Sequence, residues 1–114
     1  MRVAHILFDL WPRDADLLKR SEPVRSILRK AVVRSGVRIV HTRFHQFEPH
    51  GFTGFFLIAE SHVSVHSWVE EGWMAVDILS CGDMDGMVIV EGLREGIPSV
   101  RERLSGVERG DGRH

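Results

Sequence analysis

Between Val37 and Ser80 the chain passes through four short segments that alternate apolar and polar residues. They are Val37–His45 (VRIVHTRFH), Phe52–Glu60 (FTGFFLIAE), Ser61–Trp68 (SHVSVHSW) and Trp73–Ser80 (WMAVDILS). Alternation with period two and a wealth of β-branched and aromatic residues predict strands. Turn signals at Glu48–Gly51 and Glu70–Gly72 separate them, and the third follows the second with only a sharp change at 60–61. Upstream, Val3–Leu10 (VAHILFDL) predicts a buried strand with His5 and Asp9 on one face. Asp14–Ser35 carries helical spacing through Leu17, Leu18, Val24, Ile27, Leu28, Ala31 and Val32, with Pro23 near the helix start, Ser21 as its cap and Gly36 as its stop. Downstream, a helix is predicted over Asp83–Glu95, despite Gly86 and Gly92, then a strand over Ile97–Leu104 and a polar tail over 105–114.

Strand, helix, several strands, helix and strand, without regular βαβ alternation, predict an α+β fold. The expected form is a two-layer sandwich, a mostly antiparallel sheet with helices on one face. Phe44, Phe47, Phe52, Phe55, Phe56, Trp68 and Trp73 crowd the strands. That many aromatics predict cover on both sheet faces, the second supplied by another copy of the chain. The 114 residues make one domain, short of surface to enclose a ligand alone.

Fifteen basic and sixteen acidic residues leave a formal charge of −1, which argues against a nucleic-acid partner. A single cysteine forms no internal disulfide. The N-terminus lacks the long apolar core of a secretory signal, and no run approaches the ~18 apolar residues of a membrane span. The expectation is a cytoplasmic protein without membrane contact.

Three groups of residues carry potential chemistry. His41, His45, His50, His62 and His66 lie on or beside neighbouring strands, but no HExxH or CxxC accompanies them, and no metal site is expected. Cys81 precedes a predicted helix start, where the helix dipole lowers a thiol pKa. The dipeptide Glu60-Ser61 reads first as a turn. If that turn is strained, the Ser61 hydroxyl can attack the Glu60 carbonyl and move the acyl group from nitrogen to oxygen. Removal of the Ser61 α-proton then breaks the Cβ–O bond of the ester, and hydrolysis of the resulting dehydroalanine leaves a pyruvoyl group, an electron sink.

ESHVSVH followed by SWVEEGWMAVDILSCG resembles the core motif of the prokaryotic S-adenosylmethionine decarboxylases, pyruvoyl enzymes of polyamine synthesis. FHQFEPHGFTG is similar to that family's FHxFxPxGxSG, HILFDLW to its HxxxDLxG, and GVERG at 106–110 more loosely to its tail. The resemblance implies a proenzyme that cleaves itself between Glu60 and Ser61 into chains 1–60 and 61–114 and acts as a homodimer of cleaved protomers. Ser61 would become the pyruvoyl that forms a Schiff base with S-adenosylmethionine. His66 would be the processing base, supported by Thr53 where the family has serine, and Cys81 the proton donor after carbon dioxide leaves. Glu70 would bind the ribose hydroxyls, and Phe47 would stack on adenine or face the sulfonium.

Thr53, Val69 and Trp73 depart from the family pattern and leave arginine or ornithine as alternative substrates. An uncleaved homologue with a binding or regulatory role is a rival from another class. Strand parity adds a structural requirement. Ser61 and His66 fall on opposite faces of a straight strand, so the reading demands a bend or bulge at 61–62, and a straight strand there would count against it.

Overall fold

The computed structural model describes residues 3–81 and 84–110. Six strands form one antiparallel sheet in the order β2-β3-β4-β5-β1-β6. They are β1 (Val3–Pro12), β2 (Ile39–Gln46), β3 (Phe52–Ile58), β4 (Ser61–Trp68), β5 (Trp73–Cys81) and β6 (Ser99–Arg109). Helices α1 (Val24–Arg34) and α2 (Gly86–Gly96) cover one face, giving the expected two-layer α+β sandwich.

Alternation assigns every strand residue to a layer. Phe8 and Leu10, Phe52 and Phe56, Val63 and Val65, and Met74, Val76 and Ile78 point into the helical layer and are buried. There they meet Val24, Leu28, Ala31 and Val32 of α1 and Ile89, Val90 and Leu93 of α2. The opposite face is open and holds Leu7, Phe55, Leu57 and Trp68, which are 37%, 38%, 43% and 41% exposed. The expected aromatic crowding is therefore split: Phe44, Phe52 and Phe56 fill the core, and Phe55, Trp68 and Trp73 lie on the open side.

Several predicted boundaries change. The region Asp14–Ser35 is two elements, a 3₁₀ turn at Ala15–Leu18 capped by the Asp14 side chain, and α1. Ser21 does not cap α1 through its side chain. Its backbone amide instead donates to Gln46 Oε1 at 2.8 Å, and Glu22 Oε1 accepts from the Ser26 amide in the first turn. Gly36, at φ +88°, ends the helix as expected, because that left-handed conformation carries no Cβ penalty in glycine.

The predicted helix start at Asp83 lies outside the described residues; α2 runs from Gly86, with Asp85 as its N-cap. Gly92 belongs there for packing. A Cβ at that position would lie 2.6 Å from Ala31 Cβ, so the glycine allows α1 and α2 to touch. The predicted last strand ends early, because β6 continues through 105–109 by pairing with β1.

Candidate active site

β3 and β4 form a hairpin closed by the pair Ile58↔Ser61, with Ala59 and Glu60 as its two-residue loop. The ladder runs without a register shift from that pair to Thr53↔His66. No bend or bulge interrupts 61–62, contrary to the requirement drawn from parity. Burial of Val63 and Val65 fixes the alternation, since a one-residue slip would turn both valines outward. Ser61 thus shares the helical side with them, and His66 lies on the open face five residues away, about 16 Å along the strand. One subunit does not bring Ser61 and His66 together.

A different residue meets the loop. Cys81 ends β5 on the open-face parity, and its Sγ lies 3.9 Å from the Glu60 carbonyl oxygen, within reach of an S–H donor. The thiol is half-buried and lines a cavity of about 430 Å³ with Val3, His5, Met84 and Val107. α2 begins at Gly86, five residues after Cys81, with Asp85 as its N-cap.

At the other end of β4 a second group assembles on the open face. Thr53 Oγ1 and His66 Nδ1 are hydrogen-bonded across the ladder. Burial pushes the His66 imidazole below its ordinary pKa of 6.5, which favours the neutral, proton-accepting form. Its ring meets Trp68 at 4.1 Å and Phe47 at 6.4 Å between centroids, both edge-on. Phe47, His66, Trp68 and Glu70 line a pocket of about 340 Å³. Glu70 stands on the β4–β5 turn and meets His50, on the β2–β3 turn, at 2.8 Å between Oε1 and Nε2.

Behind Trp68, Trp73 stacks at 4.7 Å, Trp11 follows at 5.7 Å, and the Arg101 guanidinium closes the row 4.4 Å above Trp11. This row and the His50 contact are absent from the sequence reading. Trp68 and Trp73 pair directly across β4 and β5, so a hairpin register centred on the 69–72 turn carries the signal for that part.

The open face also has its own charges. Burial pushes the Asp9 carboxyl above its usual range; nearby Arg103 pulls it down and Asp77 adds a smaller push upward. His5 Nε2 lies 3.8 Å from Asp77 Oδ1. Among the described residues no three His, Cys, Asp or Glu side chains are grouped to hold a metal ion, and no helix is long and apolar enough to cross a membrane.

The family model for S-adenosylmethionine decarboxylase matches residues 4–110. The chain belongs to the S-adenosylmethionine decarboxylase family. It is 46% identical over 79 residues to the proenzyme of Aquifex aeolicus, an alignment covering 69% of this chain and 58% of that protein. The proenzyme of Thermodesulfovibrio yellowstonii is 34% identical over 108 residues, covering 90% of this chain and 80% of the relative.

The solved adenosylmethionine decarboxylase of Aquifex aeolicus superposes with a TM-score of 0.87 at 35% identity, over 97% of this chain and 92% of that one. A Trypanosoma brucei member, at 12% identity and TM-score 0.57, shares the fold over 90% of this chain and 44% of its own length. Membership in the decarboxylase family thus rests on nearly the whole chain. The alignment with the Aquifex aeolicus proenzyme covers a shorter stretch, little more than half of that relative's length.

Proposed function

We propose that this chain is the proenzyme of a pyruvoyl-dependent decarboxylase acting on S-adenosylmethionine, cleaved between Glu60 and Ser61. The observation that carries the reading is the Cys81 thiol set against the Glu60 carbonyl at a two-residue loop. The residues present suit the group. A C-terminal chain starting at 61 would begin at the first residue of β4, half-buried and across from the thiol-lined end of β5. Made from Ser61, a pyruvoyl group would supply an electron sink for loss of carbon dioxide. Cys81 holds the proton that the substrate α-carbon receives, and its S–H also polarises the Glu60 carbonyl before cleavage.

His66 is the base for the Ser61 α-proton, and Thr53 fixes its ring through Nδ1. As the two centres lie at opposite ends of β4, the reading includes a homodimer joined through the open face. In an antiparallel, isologous pairing the loop of one subunit meets the partner subunit's His66. Exposed Phe55, Leu57, Leu7 and Trp68 support burial of that face. Glu70 would take the ribose hydroxyls, and Phe47 and Trp68 would hold the adenine or sulfonium. The family match and the relatives, themselves S-adenosylmethionine decarboxylase proenzymes, favour S-adenosylmethionine over arginine or ornithine.

Mass spectrometry of the purified protein tests the first step: two fragments split after Glu60 are expected, the second resistant to N-terminal sequencing for want of an amine. Labelled carbon dioxide release from S-adenosylmethionine, set against arginine and ornithine, tests the second. An uncut chain after long incubation would favour a binding or regulatory homologue, and release from arginine alone would overturn the substrate.

A further inference from the structure

The pocket beside His66 is bounded by the β2–β3 and β4–β5 turns. The β2–β3 turn is fixed from several sides. The Phe47 amide donates to the Gly51 carbonyl at 2.8 Å, the Gly51 amide donates to the Lys19 carbonyl at 2.8 Å, and Gln46 Nε2 reaches the Lys19, Phe47 and Gly51 carbonyls. Next to it, the buried Ser67 hydroxyl accepts from the Phe52 amide and donates to the Leu18 carbonyl. His50 rises from this braced turn with its side chain 32% exposed.

Glu70, on the opposite turn, has a side chain 82% exposed. Unheld, a carboxylate so open to water would sample many rotamers; here it is hydrogen-bonded to His50. Both side chains line the same pocket as Phe47 and Trp68. A carboxylate offers about four acceptor sites, so one bond from His50 to Oε1 leaves Oε2 wholly free and Oε1 with a second lone pair. That is the donor-hungry arrangement that a vicinal diol, with two hydroxyls on adjacent carbons, can satisfy at once.

We infer that His50 is a positioning residue, holding the Glu70 carboxylate toward the pocket so that it receives both ribose hydroxyls of a nucleoside substrate. The inference rests on the reading of Glu70 as the ribose contact and extends it to a residue that touches no substrate itself. Preorganisation is the physical gain: the rotamer entropy of Glu70 is lost on folding and not on binding.

The test is equilibrium binding of 5′-methylthioadenosine, which carries the ribose diol but no amine, measured by calorimetry on the full protein and its variants. His50→Ala should weaken binding about tenfold, the size of one hydrogen bond to a charged group. His50→Gln, which keeps a donor at similar reach, should recover most of that loss. Glu70→Gln should weaken binding by itself, and adding His50→Ala to it should cost nothing more, because the two residues act as a unit. A 2′,3′-dideoxy analogue should bind wild type and His50→Ala alike. If Glu70→Gln weakens binding while His50→Ala does not, or if the two losses add in full, the inference fails and the Glu70 reading stands. Wild-type affinity in Glu70→Gln removes both.

Discussion

The Cys81 sulfur stands 3.9 Å from the carbonyl oxygen of Glu60, so the chain's single thiol is aimed at the bond expected to break. A thiol placed there can serve before and after cleavage, and the two roles separate by mutation. Cys81→Ala should still split into two fragments, more slowly than wild type, while decarboxylation falls by at least about 10²-fold, the usual loss of a general acid. Gel densitometry and labelled carbon dioxide release measure the two effects. Normal turnover by Cys81→Ala would refute the proton-donor role.

Self-cleavage should follow the titration of His66. Burial lowers the pKa of this imidazole, so it is neutral at pH 7 and becomes protonated only on acidification beyond the ordinary histidine range. The cleavage rate should therefore be flat near neutrality and fall with decreasing pH, with its half-point below 6.5. His66→Ala should slow cleavage about 10²–10⁴-fold near neutrality, a gap that narrows on acidification as wild-type His66 becomes protonated. A half-point above 6.5 in wild type would exclude His66 as the titrating base.

Complementation tests whether the site is shared between subunits. Alone, Ser61→Ala should remain uncut and His66→Ala should be cut only very slowly. Co-expressed, the mixed dimer pairs an intact Ser61 with the partner subunit's His66, and cleavage should return in part of the His66→Ala chains. A mixture that stays uncut would place both residues' work within one subunit, against the β3–β4 register.

The helical layer offers a stability test far from the chemistry. Gly92→Ala would drive a methyl to 2.6 Å from Ala31 Cβ, with the Ala31 backbone 3.2 Å away, so relief requires the helices to separate. Overpacking of this kind costs about 1–3 kcal/mol. Denaturant midpoints should fall accordingly, with the cleavage site chemically intact. An unchanged midpoint would mean the α1–α2 contact yields freely.

Much of this arrangement was open to reading from the residues alone. Alternation placed β4 at Ser61–Trp68 without error, because buried Val63 and Val65 and outward His62 and His66 leave one register. Once the loop is known to be Ala59-Glu60, that register pairs Thr53 with His66, and the β4–β5 register carried past Ser61 puts Glu60 opposite Cys81. What misled was the demand that parity made for a bulge at 61–62, which the ladder lacks. The end of β6 escaped for another reason. Its residues Ser105 to Arg109 are exposed and carry no apolar periodicity, and their strand form comes from pairing with β1, a hundred residues away in sequence. His50 and Glu70 were hidden similarly, since contact between two turns depends on how the hairpins lie side by side.

The strand order decides what happens to the molecule once it is cut. Residues before the Glu60-Ser61 bond supply β2, β3 and β1, and those after it supply β4, β5 and β6. Across the sheet the two sets interleave, with β1 threaded between β5 and β6. Severing the loop would therefore free neither piece: departure requires three ladders to be unzipped, β3 from β4 and β1 from both neighbours. The fold is a clasp that stays shut after its thread is cut, so a reaction that destroys the continuity of the chain need not destroy its shape.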